Sequence, residues 1–411
     1  MQLTSDKDRF GFYTVGEFKT YSKLEAIEHS GKVKQPAEWN FNKHVFGRYD
    51  WTVEPPGSLE FWYSQRAREI REKYDYIVLW YSGGADSHNA LMSFVKNNIF
   101  VDEIAQYHNL EAEHGNKEAW LNEEVFATSA PLSQYLIQNN PIYKNTKHRL
   151  VDLSQLQKHV LITDDNKWDY FYKVNTYLSP NGLARSYLRE TIPDYQQLIS
   201  QGKKVCFLFG AEKPFLSYYN NKWYIDFVDA LDYAVSPRTQ MLNRSWEYDE
   251  LFYWSDTMPQ LVAKQAHIVK KYLSQLTPAD VDDVHVASHN VIVDEYGRKK
   301  VNVWYANIVV NNVRYQLLPD GLHRLIYPNW NPSTVVCNKP LSLAYPPRDT
   351  WMFDHIAPDI GQQYYNFGLL NLKKTVKSVS PDYWWEFKFN PALGLPYSGG
   401  LKAFYNRYCI S

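Results

Sequence analysis

Tyr76-Ile-Val-Leu-Trp-Tyr-Ser-Gly-Gly-Ala-Asp-Ser87 is the stretch that decides the fold. Tyr76 to Tyr81 is a short apolar run, the pattern of a buried strand. It leads directly into Ser82-Gly83-Gly84-Ala85-Asp86-Ser87, and His88 to Asn97 follows with Ala90, Leu91, Phe94 and Val95 at helical spacing. Strand, glycine loop and helix in succession make an anion site. The glycines let backbone N–H groups approach an anion, and the helix N-terminus adds partial positive charge. Ser82 and Ser87 add hydroxyl donors, and Asp86 is placed to cap the helix or order the loop. The anion expected here is the pyrophosphate part of a nucleotide.

Outward from this loop the pattern alternates. Val101 to Tyr107, His148 to Leu153 and Val205-Cys-Phe-Leu-Phe-Gly210 read as further strands, the last wholly apolar and so buried and parallel. Glu118 to Leu136 and Asn181 to Leu198 read as helical, the latter carrying Arg185 and Arg189 one turn apart. Alternation at this spacing predicts an α/β fold with a doubly wound parallel sheet. Upstream, Gly11 to Gly16 is strand-like, Ser22 to Ser30 a short helix, and Ser58 to Lys73 an amphipathic helix read as packing and dimer surface. Downstream, Ser255 to Leu273 is a capped helix. Then Asn290–Asp294, Lys300–Val310 and Val313–Leu318 read as a β-meander with turns at Glu295–Gly297 and Asn311-Asn312. Residues 326–411, rich in Pro, Tyr and Trp, read as an irregular aromatic-packed extension. Three units are expected: an N-terminal arm and helix (1–73), the α/β domain (74–278) and a β-rich, aromatic-rich C-terminal unit (279–411).

Composition excludes several classes. A chain of 411 residues is long for one domain, and 45% apolar with 22% charged residues is ordinary for a soluble protein. A net charge of −1 gives no global basic footprint for nucleic acid, which leaves only a local basic groove open. No apolar run approaches the ~20 residues of a membrane span. Met1-Gln-Leu-Thr-Ser-Asp-Lys-Asp shows no signal-peptide pattern. Cys206, Cys337 and Cys409 are too few and scattered for a disulfide framework or a four-thiolate metal site. The expected setting is cytoplasmic and reducing.

The loop lacks both common glycine motifs: no Gly-x-x-x-x-Gly-Lys follows the strand, and no Gly-x-Gly-x-x-Gly. Ser82-Gly-Gly-x-Asp-Ser87 after a strand instead resembles the PP-loop of the ATP pyrophosphatase superfamily. That superfamily includes the synthetase domain of asparagine synthetase, GMP synthetase, tRNA-modifying ligases and thiolases, and phosphoadenylylsulfate reductases. The resemblance covers about residues 74–235. It implies a PP-loop fold, binding of ATP with Mg²⁺, and cleavage of ATP to AMP and pyrophosphate. Ser82, Gly83, Gly84, Ala85, Asp86 and Ser87 would hold the pyrophosphate, with Asp86 the nearest carboxylate for Mg²⁺. Asp86 as a helix cap that shapes the loop is the other reading.

Gly210-Ala-Glu-Lys-Pro214 follows a strand, so it belongs at the carboxyl edge of the sheet near the first loop. It resembles the second, variable turn of PP-loop proteins, and Lys213 is the candidate for stabilising charge on the transferring phosphate. A solvated Lys before a loop Pro is its bland counterpart. Tyr107-His-Asn109 ends the second strand, where the adenosine lies in the superfamily. His88 and His108 are near enough in sequence to touch nucleotide, though a lone His more often packs. Arg185 and Arg189 read better as a solvated face paired with Glu190. Tyr397-Ser-Gly-Gly400 repeats four residues of the loop but reads as a glycine turn, and Asp282, Asp283, His285, His289 and Asp294 fit no metal spacing.

Equipment of other superfamily members is missing. Gln2 stands where asparagine-type synthetases carry a catalytic Cys, no C-x-x-C occurs, and Cys409 sits in Arg-Tyr-Cys-Ile-Ser rather than a reductase motif. Segments such as Phe252-Tyr-Trp-Ser and Ile326-Tyr-Pro-Asn-Trp-Asn are similar to uncharacterised phage-encoded PP-loop proteins. The leading expectation is an adenylating ligase or amidase acting on ATP and an acceptor carboxylate or carbonyl. The alternatives are a reductase or sulfotransferase-like enzyme using a sulfonucleotide, and a nucleotide-binding protein without turnover.

Overall fold

The structure, a computed structural model, describes residues 6–108, 124–153, 192–210, 214–219, 222–229, 249–275, 291–293, 299–301, 308–310, 313–315, 325–328, 370–387, 398–401 and 404–411. Near the N-terminus, Phe12–Val15 (β1), Phe18–Thr20 (β2) and Glu38–Asn40 (β3) form an antiparallel sheet in the order β2-β1-β3. Lys23–Val33 (α1) starts at Ser22, whose hydroxyl accepts the Glu25 N–H at 3.3 Å. Lys43–Phe46 (α2) and Leu59–Lys73 (α3) follow, the latter capped by Ser58 accepting the Phe61 N–H at 3.2 Å.

From residue 76 strands and helices alternate: Tyr76–Trp80 (β4), Ala85–Val95 (α4), Glu103–His108 (β5), Ala130–Asn139 (α5), Lys147–Asp152 (β6), Pro193–Ser200 (α6) and Val205–Phe209 (β7). The pair Phe215–Tyr219 (β8) and Lys222–Val228 (β9) then precedes Asp249–Leu251 (β10) and Pro259–Leu273 (α7). Strands β4, β5, β6, β7 and β10 form one sheet in the order β10-β7-β4-β5-β6, and every pairing is parallel. This is an α/β protein.

Alternation along the strands feeds two cores. Ile77, Leu79, Ile104, Cys206 and Leu208 point to one face, with Tyr63, Ala67 and Ile70 of α3 and Ala90, Leu91 and Phe94 of α4. Val78, Trp80, Ala105, Val205 and Phe207 point to the other, with Ile192 and Tyr195. Burial on both faces explains why β4 and β7 read as unbroken apolar runs.

β10 carries no such signature, since two of its three residues are Asp249 and Glu250. Glu250 is buried and held by three cations and a phenol: Arg66 at 2.8 Å, Arg9 at 3.1 Å, Lys73 at 2.7 Å and the Tyr74 hydroxyl at 2.5 Å. Burial alone would raise its carboxyl pKa, but Arg66, Arg9 and Lys73 outweigh that and hold it well below the usual carboxylate range. Arg66 also donates to the carbonyls of Leu251 and Phe252 at 2.9 and 3.1 Å, fixing the chain where it leaves β10.

The remaining strands are Val291–Val293 (β11), Lys299–Val301 (β12), Ile308–Val310 (β13) and Val313–Tyr315 (β14). β11 pairs antiparallel with β12 and β13 with β14, the two strand pairings expected from sequence. β13 and β14 also join β8 and β9 in a second sheet, in the order β14-β13-β8-β9. There β13 lies parallel to β8, so the hairpin is taken up at the open edge of another pair. The 326–411 region also holds regular structure among its described residues: Leu370–Val379 (α8), Trp384–Phe387 (β15), Ser398–Leu401 (β16) and Tyr405–Cys409 (β17). Ser398-Gly-Gly400, read as a turn, is strand β16 paired antiparallel with β15. β17 pairs with β9, so the second sheet contains strands from both sides of residue 279.

The N-terminal segment packs into this assembly. Phe46, Trp51 and Trp254 surround Phe227 with ring centroids 4.6, 5.4 and 5.0 Å away. Asn406 of β17 donates to the Trp39 carbonyl and accepts from the Phe41 N–H, both at 2.7 Å. Gly31 of α1 lets α8 approach, because a methyl there would fall 2.7 Å from Val379. Among the described residues no helix is long and apolar enough to cross a membrane.

Candidate functional site

Counted along the chain, the strands of the parallel sheet run fifth, fourth, first, second, third, so the order reverses between β4 and β7. Ligands of open α/β sheets bind beyond the carboxyl ends of the strands at such a reversal. The segment 82–87 lies there. Trp80 pairs with Phe209 on one side and Ala105 on the other, and the Tyr81 N–H still reaches the Ala105 carbonyl at 2.9 Å.

The chain then turns. Gly83 has φ +87°, a conformation L side chains rarely adopt, which accounts for glycine at this position. Gly84 is the N-cap of α4, in extended conformation. Its N–H meets the Ser82 hydroxyl at 3.3 Å, and its carbonyl accepts from Ser87 Oγ at 3.1 Å. Ser82 and Ser87 hydroxyls lie 3.0 Å apart, closing the loop across its mouth. The first-turn N–H groups have no acceptor within the helix, so they and the helix dipole face outward from the sheet edge.

Gly210 reaches the loop directly. A methyl on it would sit 2.6 Å from Ser87 Cα, 2.8 Å from Ser87 N and 3.0 Å from the Asp86 carbonyl carbon. Backbone therefore packs on backbone where β7 ends beside the start of α4, as expected for two turns at one sheet edge. Tyr107, half-buried and two residues beyond Ala105, is at the same edge, its ring 6.0 Å from Trp80. Ala211, Glu212 and Lys213 lie outside the described residues, as do Asn109, Arg185, Arg189, Glu190, Tyr397, Asp282, Asp283, His285, His289 and Asp294.

The two histidines pack. His88 is buried with Nδ1 3.0 Å from the Tyr81 hydroxyl, and buried His108 meets the Phe126 ring edge-on at 5.3 Å.

Asp86 stands in the first turn of α4, where a carboxylate complements the dipole. Two phenols that the sequence reading did not connect to the loop converge on it. The Tyr327 hydroxyl donates to Asp86 Oδ1, and the Tyr253 hydroxyl donates to the Asp86 carbonyl at 2.7 Å. The two rings lie 5.7 Å apart. Burial, reinforced by the Asp86 charge, pushes the Tyr327 phenol well above its ordinary value; burial and the neighbouring Tyr63 and Asp86 do the same to Tyr253. Both therefore remain protonated donors. Their only sequence signal is that Phe252-Tyr-Trp and Ile326-Tyr are apolar clusters, which in so aromatic a chain points to core rather than site.

Among the described residues no group of three or more His, Cys, Asp or Glu side chains forms a metal cluster. Mg²⁺ on phosphates needs only one or two carboxylates, and Asp86 is one that could serve.

No family model and no curated protein matches the chain. The functional reading rests on the sheet edge itself.

Proposed function

We propose that the chain is an ATP pyrophosphatase of the PP-loop kind, which adenylates a carboxylate or carbonyl acceptor. The observation carrying this is the position of Ser82–Ser87: a serine-flanked glycine loop opening a helix at the strand-order reversal of a five-stranded parallel sheet.

The loop would hold the β- and γ-phosphates through the N–H groups at the start of α4 and the hydroxyls of Ser82 and Ser87. Tyr107, farther along the same edge, lies on the side where the nucleoside would extend. An acceptor oxygen attacks the α-phosphorus, the bond between that phosphorus and the bridging oxygen breaks, and pyrophosphate leaves with the bonding pair. Donors aimed at the β-phosphate stabilise the charge that develops there. Magnesium bound with ATP would supply positive charge to the phosphates, with Asp86 as its protein ligand. Lys213, three residues beyond Gly210, is proposed to stabilise the α-phosphate as it becomes five-coordinate. An amine then displaces AMP from the adenylate.

The absence of a reductase cysteine motif supports a ligase over a sulfonucleotide reductase. Cys409 lies on β17 of the second sheet, opposite Tyr224, and not on the parallel sheet that carries the loop. Product analysis of α- and γ-labelled ATP with candidate acceptors tests the proposal. AMP and pyrophosphate are expected, and ADP with phosphate would overturn it. Tight ATP binding without turnover under any acceptor would leave a binding protein.

A further inference from the structure

Asp86 has a partner from 241 residues along the chain. Tyr327 is 1% exposed, and Tyr253 and Tyr63 are equally enclosed. Phenylalanine would fill such space as well, and a buried hydroxyl costs free energy unless it is hydrogen-bonded. Here the hydroxyls form one directed set. Gln265 of α7 donates to the Tyr63 hydroxyl at 2.8 Å, and Tyr63 donates to the Ile326 carbonyl, pinning the residue before Tyr327. Asn89, one turn along α4 from Asp86, donates to the Tyr253 hydroxyl at 3.2 Å. Tyr253 itself is placed by Arg66 on the preceding carbonyls. The set thus runs from α3 and α7 through residues 326 and 327 to a single carboxylate in the candidate loop.

We propose that Tyr327 is a positioning residue that completes the nucleotide site from the C-terminal part of the chain, holding the Asp86 carboxylate in the orientation that receives the phosphate-bound magnesium. This rests on the ATP reading above. The Tyr253 bond to the Asp86 carbonyl fixes the backbone, and the Tyr327 bond fixes the side chain, so the two act on different degrees of freedom. Residues 325–328 accordingly belong to the site's architecture and not only to the core.

The test is the factor by which Mg²⁺ strengthens ATP binding, measured by calorimetry with and without the ion. Taken as a ratio within one protein, it does not depend on how much of a variant is folded. Wild type is expected to show a factor of about ten or more, and Tyr327→Phe to lose most of it while binding metal-free ATP as wild type does. In an Asp86→Asn background, Tyr327→Phe should change nothing further, because the pair acts as a unit. Tyr63→Phe, which cuts the tie to Ile326 but keeps the Tyr327 phenol, should lower the factor by less. An unchanged factor in Tyr327→Phe overturns the positioning role and leaves the ATP reading standing. Failure of wild type to bind ATP at all overturns that reading and this inference with it.

Discussion

The parallel sheet and the second sheet are built by different rules. Three neighbours in the parallel sheet, β4, β5 and β6, follow one another in the chain, with helices between them. The second sheet draws its five strands from residues 215–228, 308–315 and 405–409, with a parallel pairing of β13 to β8 that no hairpin signal announces. The first lays out a site at its edge through local chain direction. The second is held by contacts across hundreds of residues, such as Asn406 with Trp39 and Phe41. Local elements thus aim the loop, while the long-range contacts of the second sheet tie the N-terminal segment to β17.

Glu250 gives the sharpest way to break this division, because it anchors β10, a parallel-sheet strand without an apolar signature. Glu250→Gln removes the buried charge shared by Arg66, Arg9 and Lys73, leaving Arg66 only the more exposed Glu69, and should cost about 3–5 kcal/mol, read by urea unfolding. The pH dependence follows from the depressed carboxyl. Its pKa is lower folded than unfolded, so its stabilisation is complete above the unfolded value and drains away as pH falls below about 4. Wild type should therefore lose stability on acidification more steeply than Glu250→Gln. Parallel curves would mean that the cluster does not hold β10.

Asp86→Ala addresses the site. Pyrophosphate release should slow by on the order of 100-fold, about 2.7 kcal/mol, with the far-UV spectrum unchanged. A change confined to stability would return Asp86 to the role of a helix cap.

Gly210→Ala probes the contact between the two edge turns. The added methyl meets backbone of Ser87 at 2.6 Å, which cannot rotate away, so a loss of about 1–3 kcal/mol is expected together with weaker ATP binding. Stability lost with nucleotide affinity intact would separate residue 210 from the site.

Asn406→Ala should show the smallest effect and the opposite pattern. Two buried backbone groups lose partners, for roughly 1–2 kcal/mol by thermal unfolding, and ATP affinity stays as in wild type. Altered affinity would show that the second sheet sets the loop.

What could be read from sequence follows the same division. β4, the loop, α4 and β7 were legible because strands buried on both faces are continuous apolar runs, and Gly83 marks a positive φ. Gly210 was legible as a turn, but its contact with Ser87 was not. β10 was invisible because Asp249-Glu-Leu251 resembles an exposed loop until Arg9, Arg66 and Lys73 are brought to it. Tyr253 and Tyr327 were hidden for a related reason: a phenol in an aromatic cluster reads as packing, and its hydroxyl partner lies outside any local window.

The most direct measurement is amide hydrogen exchange with and without Mg²⁺ and ATP. Protection should rise at residues 82–87 and at Gly210, where backbone N–H groups would receive the phosphates, while β13 and β14 exchange as before. Saturating nucleotide that leaves 82–87 unchanged, or protects the second sheet instead, would contradict the assignment of this loop as the nucleotide site.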